Sequence, residues 1–244
     1  MTFRARDAMT VCAVEEAARL LTLAGCSISP SCCSGDRLAA EGPILDAEGT
    51  ADQVLLGWKL AQTLVEWASG VATATRTLVD AARAANPLVG VACTRKAIPG
   101  TRALSAKAIL SGGAVLHRTG LSDSVLLFPE HRNLAGTADG LAQQIATLKR
   151  QCPERSVVVE VTGIAEALEA ERCGADVLQL EKFSPDRVAE LVRSLPPGTR
   201  TKVIAAGGIN AANAADYARS GAEVLVTSAP YYAKPADVKV SITR

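Results

Sequence analysis

No stretch of about 18 uninterrupted apolar residues occurs in the chain, so nothing in it is built to insert into a bilayer. An excess of charge of one sign is also missing. Twenty-six Lys and Arg stand against 25 Asp and Glu, a formal charge of +1 without a basic stripe or tail, and this argues against nucleic acid as a partner. The seven cysteines (Cys12, Cys26, Cys32, Cys33, Cys93, Cys152 and Cys173) form no CxxC pair and have no histidine nearby in sequence. An odd number of thiols in a chain too large to need disulfide staples fits a reducing, cytoplasmic setting and gives no cysteine–histidine metal site. The opening residues lack the apolar core and small-residue cleavage site of a signal peptide. There is no internal repeat, no low-complexity tract, and no Ser/His/Asp or Cys/His arrangement for covalent catalysis. What is present is 244 residues, 48% of them apolar and 21% charged, enough to bury one barrel-sized core or two smaller ones.

Residues 3 to 13 read as short strands, Glu15 to Leu23 as a helix, and Ser27 to Glu48 as strands and turns around Pro30, Gly35, Gly42 and Pro43. A long helix follows from a Thr50 N-cap, with Val54, Trp58, Ala61, Val65 and Ala68 on one stripe. Ser69-Gly70 is expected to break it before a second helix runs to Ala85. From residue 88 apolar runs alternate with helical segments: Leu88 to Cys93, Ser124 to Phe128, Val157 to Val161, Asp176 to Leu180, Lys202 to Ala206 and Glu223 to Thr227. Strands apolar on both faces, separated by helices, imply parallel pairing with right-handed crossovers and an open or incomplete α/β barrel of about six strands. A doubly wound sheet is the rival. Val238 to Ile242 is a strand that returns to the amino-terminal part. The expected domains are 1–90, an α/β sandwich shortened at its start and joined by 231–244, and 91–230, the barrel.

In parallel α/β folds the strand carboxyl ends collect the functional groups. Here they carry Thr94-Arg95-Lys96, Glu160, Glu181-Lys182, Gly207-Gly208 and Thr227-Ser228. The Gly207-Gly208-Ile209-Asn210 turn suits a phosphate through backbone N–H groups and a helix start; a tight turn that merely needs glycine dihedrals explains it about as well. Between Thr94 and Arg132 six basic residues (Arg95, Lys96, Arg102, Lys107, Arg118, Arg132) outnumber two acids, and both histidines, His117 and His131, fall there. Paired arginines at a barrel mouth imply a small polyanionic ligand, whereas for Arg102, Lys107 or Arg132 singly a solvated face is the safer reading. Glu160 and Glu181, at the ends of apolar strands, need partners: the basic cluster, or Mg2+ and sugar hydroxyls.

The run Thr94-Arg95-Lys96-Ala97-Ile98-Pro99-Gly100-Thr101-Arg102, with Lys107, Gly112-Gly113, His117-Arg118 and Gly120-Leu121, resembles the signature of quinolinate phosphoribosyltransferases, also called nicotinate-nucleotide pyrophosphorylases. Ser69-Gly70-Val71-Ala72-Thr73, Val159-Glu160-Val161 and Ala206-Gly207-Gly208 extend the resemblance over most of residues 50 to 230. Trp58-Lys59, Phe128 and Glu130-His131-Arg132 resemble its ModD branch, pyrophosphorylases associated with molybdenum-transport genes. The resemblance implies an amino-terminal α/β sandwich, an open α/β barrel, and a homodimer with shared active sites. It implies a pentosyltransferase that moves phosphoribosyl from phosphoribosyl pyrophosphate, bound with Mg2+, to a small anionic heterocycle. On that reading Arg95, His117 and Arg118 hold substrate carboxylates, and Lys96 binds the same anion or phosphoribosyl pyrophosphate. Glu160 and Glu181 contact Mg2+ or ribose hydroxyls, Gly207 and Gly208 cradle the 5-phosphate with Thr227, and Lys59 is supplied by the partner subunit.

Departures from the family pattern bear on the acceptor. Leu127-Phe128-Pro129-Glu130-His131 replaces a segment carrying a lysine, so Phe128 stands for a substrate-holding cation. Lys59 replaces arginine, Ala206 a hydroxyl residue, Glu181 an aspartate, and Tyr231 lies near a position often held by histidine. Quinolinate would leave a carboxylate unpaired, so the expected acceptor has fewer charges or an apolar group against Phe128. Two other readings compete. One is an aldolase-like or isomerase-like phosphosugar barrel using Lys96 or Lys182; the other is a non-catalytic accessory protein binding a small anion such as molybdate.

Overall fold

A computed structural model describes residues 1–120, 123–134 and 140–244; Leu121, part of the family-like run, lies outside them. The chain divides into two compact units: Met1–Val79 with Lys96–Val115 and Ala229–Arg244, and Asp80–Arg95 with Leu116–Ser228. The segment Lys96–Val115 thus groups with the amino-terminal residues and not, as the pattern of the sequence had it, with the barrel. Among the described residues no helix is long and apolar enough to cross a membrane.

The first unit is built on an antiparallel sheet in the order β13-β1-β5-β3. Its strands are β1 (Thr2–Ala5), β3 (Ser27–Pro30), β5 (Pro43–Glu48) and β13 (Val238–Ser241), while β2 (Met9–Thr10) and β4 (Arg37–Leu38) pair separately. Alternation along β1 and β5 buries Phe3, Ala5, Ile44, Leu45 and Ala47. They pack with Val14, Ala17 and Leu21 of α1 (Val14–Leu23) and Val54, Ala61 and Val65 of α2 (Ala51–Ala85). The carboxyl-terminal strand does return, pairing antiparallel with β1. Thr50 opens α2 with a capping box, its N–H donating to Gln53 Oε1 at 2.9 Å and its Oγ1 accepting the Gln53 N–H at 3.5 Å.

The expected break at Ser69-Gly70 does not occur, and α2 runs unbroken for 35 residues. The two residues serve packing. Ser69 Oγ accepts the Cys12 N–H at 2.9 Å, and Thr73 Oγ1, one turn on, accepts the Thr10 N–H at 2.9 Å. Gly70 lets the carboxyl-terminal segment cross against the helix: a Cβ there would collide with the Lys234 carbonyl oxygen and lie 2.9 Å from Pro235 Cα. Lys107, on α3 (Arg102–Ser111), is likewise no loose surface cation, since its Nζ lies 2.8 Å from Glu15 and 2.6 Å from Glu16.

The second unit carries a seven-stranded parallel sheet, curled into a half-barrel, in the order β7-β6-β12-β11-β10-β9-β8. Its strands are β6 (Gly90–Cys93), β7 (Val115–Leu116), β8 (Val125–Leu127), β9 (Val157–Val161), β10 (Val177–Glu181), β11 (Lys202–Ala206) and β12 (Val224–Thr227). The sheet is open, because β7 and β8, consecutive in the chain, stand at opposite ends of the order. The sequence yielded six of these strands; two-residue β7 is too short to show a period. After β8 come α4 (Pro129–Leu134) and α5 (Leu141–Gln151), and α6 (Ile164–Arg172), α7 (Pro185–Ser194) and α8 (Ala214–Arg219) link the later strands. One sheet face packs Ala92, Leu126, Val158, Val177, Ile204, Ala206 and Val226 into an apolar floor.

Candidate functional site

Parallel register brings the strand carboxyl ends level with one another. Gln179 pairs with Glu160, Glu181 with Ala206, Leu127 with Val159 and Thr227 with Cys93. Because side chains alternate, Glu160 shares a face with Val158, and Gln179 and Glu181 share one with Val177. Two carboxylates and an amide therefore stand at the rim of the apolar floor. Gln179 Nε2 donates to Glu160 Oε2 at 2.6 Å. Behind them Arg132, from α4, donates through Nη2 to the Glu160 carbonyl oxygen at 3.0 Å and to Glu166 Oε1 at 2.5 Å. Arg132 is thus a half-buried clamp on the end of β9 and not the solvated cation its sequence context implied.

Cations gather across the opening, after β6 and β7. Burial, then repulsion from Arg95, pushes the Arg118 guanidinium below its usual pKa range, and Glu160 and Asp123 partly offset this. Two like charges held in mutual reach favour an anion between them. The Arg118 guanidinium carbon lies 6.0 Å over the Phe128 ring, at the outer limit of a cation–π contact. Burial, reinforced by Arg118, lowers His117 to about 4, so the imidazole is neutral at pH 7. Its backbone N–H is anchored on the Cys93 carbonyl at 2.9 Å.

This depressed pKa makes a prediction. The unfolded chain protonates His117 near pH 6.5 and the folded chain only near pH 4. The stabilisation is therefore present above pH 6.5 and is lost as the pH falls toward 4. Urea midpoints should show His117→Gln flattening that slope by about 2 kcal/mol, after discounting for partial exposure. An unchanged slope would mean that His117 is well solvated.

The diglycine turn follows β11. Gly207 and Gly208 have φ of +89° and +77°, and Lys182, at the end of β10, has φ of +58°. A Cβ on Gly207 would lie 2.7 Å from Lys182 Cγ and 3.2 Å from Glu181 Oε1, whereas one on Gly208 would meet nothing within 4 Å. The turn thus offers open backbone beside an exposed cation, with Lys182 Nζ 3.9 Å from Glu181. The helix start expected at Asn210 is absent. Asn213 Oδ1 takes the Asn210 N–H at 2.8 Å, side chains of Asn210 and Asn213 hold the Gly208 carbonyl, and α8 begins only at Ala214. With six residues α8 adds little dipole. Thr227, expected to hold phosphate, donates its one hydroxyl hydrogen to the Ile209 carbonyl at 2.6 Å and so braces the turn from beneath.

Arg95, His117, Arg118, Phe128, Glu160, Glu181, Gly207 and Gly208 all lie at the carboxyl ends of this one sheet. Lys59 and Lys96 belong to the other unit. Lys59 is exposed, its Nζ 4.6 Å over the Trp58 ring and 3.0 Å from Gln62 Oε1; Lys96 is exposed as well. Gln179 and Arg132 are the rim residues the sequence reading did not assign; Lys182 it named only for the phosphosugar-barrel alternative. The signal for Gln179 was a polar residue two before Glu181 in an otherwise apolar strand. Arg132 had none, since its partners lie 28 and 34 residues away.

Comparison with known proteins covers nearly the whole chain. The carboxyl-terminal domain profile of quinolinate phosphoribosyl transferase matches residues 71–241, and its amino-terminal counterpart matches residues 1–69. A Rhodobacter capsulatus protein whose name calls it a pyrophosphorylase, ModD, is 57% identical over 221 residues, 91% of this chain and 85% of its own. An Archaeoglobus fulgidus protein whose name calls it a carboxylating nicotinate-nucleotide pyrophosphorylase is 33% identical over 89% of this chain and 83% of its own. The solved nicotinate-nucleotide pyrophosphorylase from Francisella tularensis superposes with a TM-score of 0.87 at 25% identity, over 98% of this chain and 84% of that one.

Proposed function

The chain belongs to the quinolinate phosphoribosyltransferase family, and on that premise we propose that it is a ModD-type pentosyltransferase, moving phosphoribosyl from phosphoribosyl pyrophosphate to a small anionic heterocycle. The observation that carries the reading is charge segregation around one sheet edge: Arg95 and Arg118 crowd one side, Glu160 and Glu181 line the floor, and the open Gly208 turn lies next to Glu181. An acceptor carboxylate would seat between the arginines, with neutral His117 donating or accepting a hydrogen bond. The 5-phosphate would lie on Gly207 and Gly208 with Lys182 beside it.

A ring nitrogen then forms a bond to the anomeric carbon while the carbon–oxygen bond to pyrophosphate breaks, its electron pair leaving with the pyrophosphate. Glu160 and Glu181 stabilise the positive charge that grows on the sugar; the remaining acceleration is positioning. Among the described residues no group of three or more His, Cys, Asp or Glu could hold a metal alone. Two carboxylates at one rim fit a Mg2+ that arrives on the pyrophosphate, which would supply neutralisation of the leaving group.

Quinolinate fits this rim poorly as the acceptor. With His117 neutral and Phe128 where a lysine stood, a second carboxylate would be left without a cation, at a cost of about 2–5 kcal/mol. A monoanionic heterocycle with an apolar edge matches the rim better. In a homodimer Lys59 would complete the partner's site. The neighbouring Leu55, Leu56 and Leu60, all exposed on α2, form the kind of apolar surface that a second copy would cover.

Titration calorimetry with phosphoribosyl pyrophosphate and Mg2+, followed by a pyrophosphate-release screen of heterocyclic acids, tests the reading. Binding by the wild type and roughly tenfold weaker binding by Gly207→Ala, whose Cβ would invade Lys182, are expected. Molybdate binding without phosphoribosyl pyrophosphate binding would overturn it.

A further inference from the structure

Gln179 sits mid-strand in β10, on a sheet whose packing calls for apolar side chains, and is only 6% exposed. Its register partner is Glu160, whose Oε2 accepts from Gln179 Nε2 at 2.6 Å. An ionised carboxylate has nothing to donate, so the amide must turn its nitrogen toward Glu160 and its carbonyl away. That carbonyl oxygen is buried and has no hydrogen-bond partner among the described residues. A buried amide with an unmet acceptor is less stable than a methionine filling the same space. Stability therefore does not account for Gln179, while orientation of Glu160 does. Arg118 attracts Glu160 electrostatically, and the amide holds the carboxylate against that pull.

We propose that Gln179 is a specificity-determining positioning residue, which holds the Glu160 carboxylate where it accepts hydrogens from the hydroxyls of a ribose phosphate and so selects ribose over deoxyribose. The proposal rests on the phosphoribosyl reading above and deepens it. A site that fixes an acceptor for a sugar hydroxyl discriminates against the analogue lacking it, because the carboxylate is then left without its donor.

The test measures binding of ribose 5-phosphate, 2-deoxyribose 5-phosphate and inorganic phosphate to the full chain by calorimetry. The wild type is expected to prefer ribose 5-phosphate by about tenfold or more, and Gln179→Met to retain about twofold, with phosphate affinity unchanged. Retention of the wild-type preference by Gln179→Met overturns the proposal. Should that variant fail to fold, Gln179→Asn, whose amide is one methylene too short to keep the 2.6 Å bond to Glu160 Oε2, gives an independent readout: its preference for ribose 5-phosphate should also fall to about twofold. Retention of the wild-type preference by Gln179→Asn overturns the proposal. A wild type that binds phosphate but neither sugar phosphate removes the phosphoribosyl reading itself, and one that binds both sugars equally removes only the role of Gln179.

Discussion

Arg118→Ala is expected to weaken binding of the anionic acceptor by roughly 100-fold or more while the chain stays folded. The guanidinium is partly desolvated and faces Arg95, a repulsion that Glu160 and Asp123 only partly offset. Removing one relieves that repulsion, which protects the fold, but leaves the bound carboxylate without its forked donor. Arg118→Lys should recover little, because a point charge replaces a planar pair of N–H groups. A second readout follows from His117, which Arg118 helps to depress. In the alanine variant, histidine titration followed by NMR should shift upward from about 4. Wild-type affinity in Arg118→Ala would remove the acceptor site from this edge of the sheet.

Gly70→Ala should cost about 3 kcal/mol of stability, read as a drop in the urea midpoint. The added methyl would meet backbone, the Lys234 carbonyl and Pro235 Cα, and neither can rotate away. The sign of the effect decides between two accounts of the Ser69-Gly70 pair. In an ordinary helix interior Gly→Ala stabilises by up to about 1 kcal/mol, so a helix kept flexible at this point would gain from the change. Gly163→Ala, at the extended N-cap of α6 where the new methyl meets nothing within 4 Å, loses only capping preference and should cost at most about 1 kcal/mol.

That pair also marks where sequence reasoning stopped. The strands of the parallel sheet were legible because burial on both faces leaves unbroken apolar runs such as Val157–Val161 and Lys202–Ala206, whose observed bounds are the expected ones. Ser69-Gly70 reads as a break because local propensity is all that a window of sequence contains; the segment that needs the glycine lies more than 160 positions further on. The rim followed the same rule. Glu160, Glu181 and the diglycine turn announce themselves at strand ends, whereas Thr227 looked like a ligand-facing hydroxyl until its bond to Ile209 was known. Gln179 is meaningful only once register sets it beside Glu160.

The pairing of β13 with β1 orders events during synthesis. Thr2 through Ala5 leave the ribosome long before their hydrogen-bonding partners, Val238 through Ser241. The stretch from Asp80 to Ser228 that forms most of the parallel sheet is by then already outside. Until β13 emerges one edge of β1 is a vacant template, which the nascent protein must keep from neighbouring polysome chains.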